Sequence, residues 1–197
     1  MKVLVVASHP RQNSLTLSIA RKVTDGLVEA GHEFEFADLY TEQFNPLLYP
    51  PDEPDWANPR KTYSPEVQRE IQRIQTSDAI VFVFPVWWYG LPAMLKGYID
   101  RVWNYGFAYG DAKIPISKVK WIGLVGETKE QFAKRECDVL LNTLLNSYIA
   151  SFCGVEDSTV HLLYNTVPDF GGNEEQAKAH YDAFLSEARR IGLEFEA

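Results

Sequence analysis

The chain changes its hydrophobic period several times along its length. Val3 to Ala7 is an unbroken apolar run of strand length, and such runs mark strands buried on both faces. From Leu15 the spacing lengthens. Leu15, Ile19, Val23 and Leu27 fall four apart and predict one buried helix face, with Gly31 just past its end. Glu33 to Leu39 sets Phe34, Phe36 and Ala37 among acids, the pattern of a strand nearer a sheet edge. Tyr40 to Tyr63 is irregular and carries Pro46, Pro50, Pro51, Pro54 and Pro59. A stretch that long in a compact domain is often functional or interfacial. Ser64-Pro65-Glu66 is a helix start, with an N-cap, a proline and an acid in the first turn, and Val67, Ile71 and Ile74 give the helix its stripe. Ala79 to Phe84 is a second buried run, and Pro92 opens a helix through Leu95, Tyr98, Ile99 and Val102. Lys120 to Val125 reads as a strand, Phe132 to Phe152 as one long apolar-faced helix, Val160 to Tyr164 as a last strand, and Glu174 to Glu194 as a closing amphipathic helix.

Strict alternation of strand and helix predicts an α/β domain. Its sheet is parallel, its crossovers are right-handed, and its helices cover both faces. Five strands and five helices fit a single three-layer, doubly wound domain over residues 1–197. In open sheets of this kind ligands bind beyond the carboxyl ends of the strands, where the strand order reverses. With the order 2-1-3-4-5, that place lies between strands one and three, so the loops after Ala7 and after Phe84 are expected to hold the site.

Composition narrows the possible partners. The chain has 197 residues, 46% hydrophobic and 23% charged, with a formal net charge of −8. The acidic balance argues against nucleic acid or an anionic membrane as the main partner, because both require clustered Lys and Arg. No apolar run is long enough to predict a membrane span. Cys137 and Cys153 form no Cys-x-x-Cys pair, and no His/Cys cluster has zinc spacing, so no metal site is expected. Two reduced core thiols suit a cytoplasmic protein.

Both candidate loops carry chemistry. Ser8-His9-Pro10-Arg11-Gln12-Asn13-Ser14-Leu15-Thr16 runs into a helix N-terminus, where free N–H groups and the helix dipole favour an anion such as phosphate. Ser14 and Thr16 can donate hydroxyls, Arg11 adds charge, and His9 either supports the loop or meets the phosphate. The simpler alternative is an ordinary N-cap at Ser14. The loop is neither the Gly-x-Gly-x-x-Gly turn nor the Gly-x-x-x-x-Gly-Lys-Ser/Thr loop. Pro85-Val86-Trp87-Trp88-Tyr89-Gly90-Leu91-Pro92 places three consecutive aromatics at a strand's carboxyl end. They suit stacking on a flat heterocycle, with a hydrophobic plug or a dimer surface as the alternative.

Taken together, these blocks resemble the flavodoxin-like NAD(P)H:quinone oxidoreductase family. The resemblance rests on Ser8-His9-Pro10 with Ser14-Leu15-Thr16, on Asp38-Leu39-Tyr40 with Phe44-Asn45-Pro46, and on Phe84-Pro85 with Trp87-Trp88-Tyr89. It continues through Pro92-Ala93, Leu95-Lys96-Gly97, Asp100-Arg101-Val102 and Phe107-Ala108-Tyr109, and so covers roughly the first 110 residues. It implies a flavodoxin-like fold, a homodimer, and one flavin per subunit at the subunit boundary. By position, His9, Ser14, Leu15 and Thr16 are expected at the flavin's phosphate end. Pro85, Val86, Trp87, Trp88 and Tyr89 are expected along its ring, and Asp100 near the cofactor. Tyr109 is expected to reach into the neighbouring subunit's substrate pocket, so that Trp88, Tyr89, Gly126 and Tyr109 frame the reaction. The cofactor implied is FAD, with FMN as the alternative, and NAD(P)H is the hydride donor.

The resemblance thins after strand four. The family's mammalian quinone reductases carry Thr-Gly-Gly there, then a tyrosine five residues on and a histidine six beyond that. Here Gly126 is kept, but Glu127 replaces the second glycine, Phe132 the tyrosine and Asp138 the histidine. N–H groups near Gly126 to Thr128 can still face the flavin's edge, and an inward Glu127 carboxylate would oppose negative charge there. The reaction implied is hydride transfer from NAD(P)H and two-electron reduction of a quinone-like acceptor in one shared pocket, hence ping-pong kinetics. The rival reading is a flavoprotein accessory subunit that regulates a partner such as a transporter, with little turnover.

Overall fold

The computed structural model describes residues 1–195. Its elements follow one another as β1 (Lys2–Ala7), α1 (Leu15–Glu29), β2 (Glu33–Asp38), α2 (Pro65–Gln75), β3 (Ala79–Pro85) and α3 (Ala93–Val102). β4 (Lys118–Leu124), α4 (Lys129–Ala133), α5 (Cys137–Asn142), β5 (Asp157–Leu163) and α6 (Glu174–Leu193) complete the chain. The sheet is parallel throughout, in the order β2-β1-β3-β4-β5. This is the predicted doubly wound architecture. Val5 lies opposite Phe36 on one side and Val81 on the other, which sets β1 and β3 side by side at the point where the order reverses.

Two cores follow from the side-chain alternation of the strands. Leu4, Val6, Ile80, Phe82, Phe84, Val119 and Trp121 face α2, α3 and α5. Val3, Val5, Ala7, Val81, Val83 and Ile122 face α1 and α6. In the first core Phe82 stacks on Trp121, with centroids 4.5 Å apart. The indole of Trp121 donates to Ser158 at 3.0 Å, so this large ring is buried without an orphaned N–H. In the second core α1 and α6 meet backbone to backbone. A Cβ on Gly26 would lie 2.1 Å from the Arg189 carbonyl oxygen, and one on Gly192 would lie 2.2 Å from that of Val23. Only glycine permits that approach.

The irregular 40–63 stretch is anchored from below. The buried Asp52 carboxylate accepts from the Ser64 N–H at 2.7 Å, the Ser64 hydroxyl at 3.0 Å and Arg101 Nη2 at 2.7 Å. Burial alone would push that carboxyl up, but these donors outweigh it and hold it below the ordinary range. Arg101 also pairs with Glu66 and donates to the Asn45 carbonyl. A Cβ on Gly97 would lie 2.2 Å from the Pro46 carbonyl oxygen. Two sequence blocks, Phe44-Asn45-Pro46 and Lys96-Gly97 with Arg101, are therefore packing partners, and their job is to seat this loop on α3.

The region after β4 departs from expectation. The predicted helix over 132–152 is interrupted. Thr128 and Gln131 form a capping box that starts the short α4. Glu136, with φ of 56°, breaks the chain direction before α5, which continues through Thr143–Ala150 with π-type bonding. Among the described residues, no helix is long and apolar enough to cross a membrane.

Candidate active site

Two adjoining cavities open at the carboxyl ends of β1, β3 and β4, and they share Val86, Gly126 and Val167. The inner one, about 340 Å³, lies against the start of α1. The outer one, about 470 Å³, lies under the aromatic loop.

The inner cavity is lined by His9, Arg11, Ser14, Leu15 and Thr16 from the first loop and by Pro85, Val86 and Trp87 from the third. Ser14 is the N-cap of α1, accepting from the Leu17 N–H at 3.3 Å. Capping and lining thus coexist in one residue. Leu15 and Thr16 sit in the first turn, where N–H groups have no acceptor within the helix. His9 Nδ1 accepts from the Arg11 N–H at 3.0 Å, which leaves Nε2 as the protonated nitrogen able to donate. Burial is the main cause that pushes the His9 pKa down, so the ring is neutral near pH 7. No carboxylate lines this cavity. Its donor set suits an anion.

Behind it, Asp38 holds the first loop in place. It accepts from Gln12 and from the Thr41 hydroxyl, each at 2.7 Å. Burial would raise its carboxyl, but hydrogen bonds from Gln12, Thr41 and Tyr40 outweigh that and keep it below the usual carboxylate range.

The third loop has a different character. Trp88 and Tyr89 have φ of 49° and 58°, and the Gly90 N–H donates to the Trp87 carbonyl at 3.1 Å. Positive φ at both central residues is the requirement of a type I′ turn, which Asn and Gly normally fill. Two bulky aromatics there carry strain, and strain of this kind clusters at functional sites. The turn drives Trp88 outward, 96% exposed, over the outer cavity. Tyr89 lies 5.9 Å from the buried Phe132, which forms part of the cavity wall. Trp87 lines the inner cavity, 6.0 Å from the His9 ring, and remains partly exposed.

Glu127 lines the outer cavity but is engaged with neighbours. Its carboxylate accepts from the Tyr89 hydroxyl at 3.1 Å and from Arg135 at 2.9 Å. Tyr109 lines neither cavity. It packs among Trp56, Tyr105 and Phe152, at 6.2, 5.8 and 5.5 Å. Asp100 lines neither cavity either. It pairs with Lys96 on α3. Asp138, on α5, lies outside both. Of the other histidines, His32 contacts the Phe195 carbonyl at 2.6 Å and His180 the Asn165 carbonyl at 2.9 Å. His161 on β5 is away from the cavities.

Sequence reasoning missed Thr166 and Val167, which follow β5 and wall the inner cavity. It also passed over Arg135. The strand-end rule applied to β5 would have found the first two. Arg135 had no local signal, because it reaches Glu127 from eight residues further along the chain, across α4.

The fold and this pair of cavities define a flavodoxin-like α/β protein whose site combines an anion cradle with an aromatic slot. The chain belongs to the family described as Flavodoxin-like fold, whose model matches residues 1–188. Within it the chain falls among NAD(P)H oxidoreductases of the quinone dehydrogenase type. It is 44% identical to the NAD(P)H oxidoreductase YcaK of Escherichia coli over 95% of both chains. It is 28% identical to the rat NAD(P)H dehydrogenase [quinone] 1, over 85% of this chain and 71% of that one. The NAD(P)H:quinone oxidoreductase from Methanothermobacter marburgensis superposes with a TM-score of 0.88 at 30% identity, covering 100% of this chain and 96% of that one.

Proposed function

We propose that the chain is a flavin-dependent oxidoreductase that takes a hydride from NAD(P)H and reduces quinones or similar flat acceptors by two electrons. The observation that carries this reading is one groove in which an anion cradle free of carboxylates adjoins an aromatic-walled slot. The residues present fit a flavin. The cradle supplies donors from His9 Nε2, Arg11, the Thr16 hydroxyl and the first N–H groups of α1, which suit a phosphate. Gly126 lines both cavities, and a Cβ there would meet the Val167 side chain at 3.0 Å.

In this reading His9, Ser14, Leu15 and Thr16 hold the phosphate end. Pro85, Val86, Trp87, Trp88, Tyr89, Gly126 and Glu127 border the ring. FAD is the proposed cofactor and FMN the alternative; when bound, it supplies a centre that accepts hydride from a nicotinamide and passes two electrons on. The chain's own work is orientation and exclusion of water. Trp88 and Tyr89 clamp a flat reactant, and Phe132 closes the back of the slot. One slot used in turn by donor and acceptor predicts parallel steady-state lines.

The homodimer belongs to the same proposal. Trp56, Tyr148 and Phe152 are 67%, 69% and 67% exposed around Tyr109, an apolar face of the kind that subunits cover. Tyr109 of the partner subunit would then complete the slot. Buried, unpaired Cys137 and Cys153 support residence in the reducing cytoplasm.

The test is anaerobic reduction of the flavin-loaded protein. NADPH or NADH is expected to bleach the flavin's visible absorption within seconds, and benzoquinone to restore it. Bound flavin that neither nicotinamide reduces would overturn the reading and point to the partner-binding role.

A further inference from the structure

We propose that Glu127 selects the charge of the acceptor, admitting neutral flat molecules and turning away anionic ones, and that Arg135 sets how strongly it does so. The inference rests on the oxidoreductase reading for the word acceptor, and its test is chosen so that the two can fail separately.

Arg135 follows the short α4, whose last residue is Ala133, and comes just before the left-handed Glu136. Its side chain reaches back along α4 to Glu127, eight residues earlier. Its Nη1 donates to both oxygens of Glu127, at 2.9 and 3.2 Å, and to the Gln131 carbonyl at 3.4 Å. Its guanidinium lies 5.9 Å from the centre of the Tyr89 ring. The Tyr89 hydroxyl donates a hydrogen bond to the same carboxylate, at 3.1 Å. That hydrogen bond holds the Tyr89 phenol above its ordinary range.

These three groups are not equally placed toward a ligand. Glu127 and Tyr89 line the outer cavity, and Arg135 does not. The remaining lining side chains, Val86, Trp88, Val125, Phe132 and Val167, carry no charge. A molecule entering the slot therefore meets the carboxylate first. It meets the guanidinium only across that carboxylate, from a side chain 55% exposed and screened by water. Tyr89, with its proton committed to Glu127, presents only lone pairs. This wall offers hydrogen-bond acceptors and one negative charge, so it favours a neutral acceptor and disfavours a carboxylated or sulfonated one. Arg135 moderates the effect by cancelling part of the field.

The experiment measures binding by calorimetry to the flavin-loaded protein, using naphthalene-2-carboxamide and naphthalene-2-carboxylate. These ligands share a shape, differ by one charge and are not reduced. The native protein is expected to bind the carboxamide about tenfold more tightly, the scale of one screened charge pair. Glu127→Gln should bring the ratio of the two Kd values to one or below, because the Arg135 guanidinium is then unopposed. Arg135→Gln, at an exposed position, should widen it by about threefold or more, because the carboxylate is then unopposed. The opposite movement of the two variants is the signature. A purely structural role would shift both ligands together and leave the ratio unchanged, which would overturn the inference. So would two variants moving the ratio in the same direction, or a native protein that binds neither ligand. If Glu127→Gln fails to fold, the widening in Arg135→Gln decides alone. A pocket that discriminates as expected while the flavin stays unreduced by NAD(P)H would sink the oxidoreductase reading and leave the selectivity standing.

Discussion

The two loops that bound the groove solve different problems. The loop after β1 is hydrogen-bonded and relaxed, buried at Ser8, His9 and Ser14 and exposed between them: Ser14 caps a helix, His9 is tied to Arg11, and Asp38 grips Gln12 from behind. The loop after β3 is open and strained, with two aromatics in backbone conformations they rarely adopt and Trp88 almost wholly in water. The first is finished before any ligand arrives. The second holds Trp87 and Tyr89 against neighbouring rings but leaves Trp88 standing in water. A rigid anchor beside an unsatisfied clamp suits a cofactor that stays and a reactant that comes and goes.

Adding a negative charge to the anchor should produce the largest effect. Thr16→Asp places a carboxylate in the cradle, and flavin affinity is expected to fall about 100-fold or more. Thr16 is buried, so the new carboxylate is partly desolvated; the helix N-terminus offsets part of that cost, and the melting temperature of the flavin-free protein is expected to fall only modestly. Flavin fluorescence titration and a thermal melt check the two halves. Unchanged flavin affinity in a folded variant would remove Thr16 from the anchor.

The clamp should show the reverse balance. Trp88→Gly removes a stacking ring and relieves a left-handed residue. Stability is expected to rise by about 0.5–1 kcal/mol, the relief less the backbone entropy that glycine gives up. Acceptor kcat/KM should fall about three- to tenfold for the lost stacking. Denaturant unfolding and steady-state kinetics on the same preparation are the measurements. A less stable variant would mean that Trp88 holds the loop together.

The smallest effect sharpens the anchor alone. Burial lowers the His9 pKa below 6.5, so in the folded protein the ring stays neutral where the unfolded chain would protonate it. The unfolded state then binds more protons, and stability falls as the pH drops below 6.5. In His9→Asn that share of the slope between pH 7 and 5 should vanish. Inorganic phosphate should also reduce the slope in the native protein, by raising the His9 pKa. Urea unfolding at several pH values reads both.

Much of this was legible in the sequence because it is written locally. Val3–Ala7 and Ala79–Phe84 are buried runs, and the β3 loop announces itself by three adjacent rings. β4 starts at Lys118 rather than Lys120 because the alternating lysines at its entry hide the period. The apolar spacing of the 132–152 segment predicts one helix because it survives across the break, whereas Glu136 carries no residue-type signal for positive φ. The seating of residues 40–63 on Arg101 depends on an ion pair between residues 49 apart, which no window along the chain can show. Thr166 and Val167 reach the cavity through the sheet order, a property of the assembled fold.

The glycine contact between α1 and α6 also has a consequence for biosynthesis. Arg189 pairs with Glu29 across 160 residues of chain. As the polypeptide leaves the ribosome, α1 therefore emerges long before its covering helix is made. Through that interval Leu17, Ile19, Val23 and Leu27 have no lid, and the half-built sheet beside them is exposed. The groove lies at the open end of that same sheet. The apolar face of α1 is therefore completed only when α6 docks, and a truncation or bulky fusion that blocks α6 is expected to be a lesion in folding rather than in chemistry.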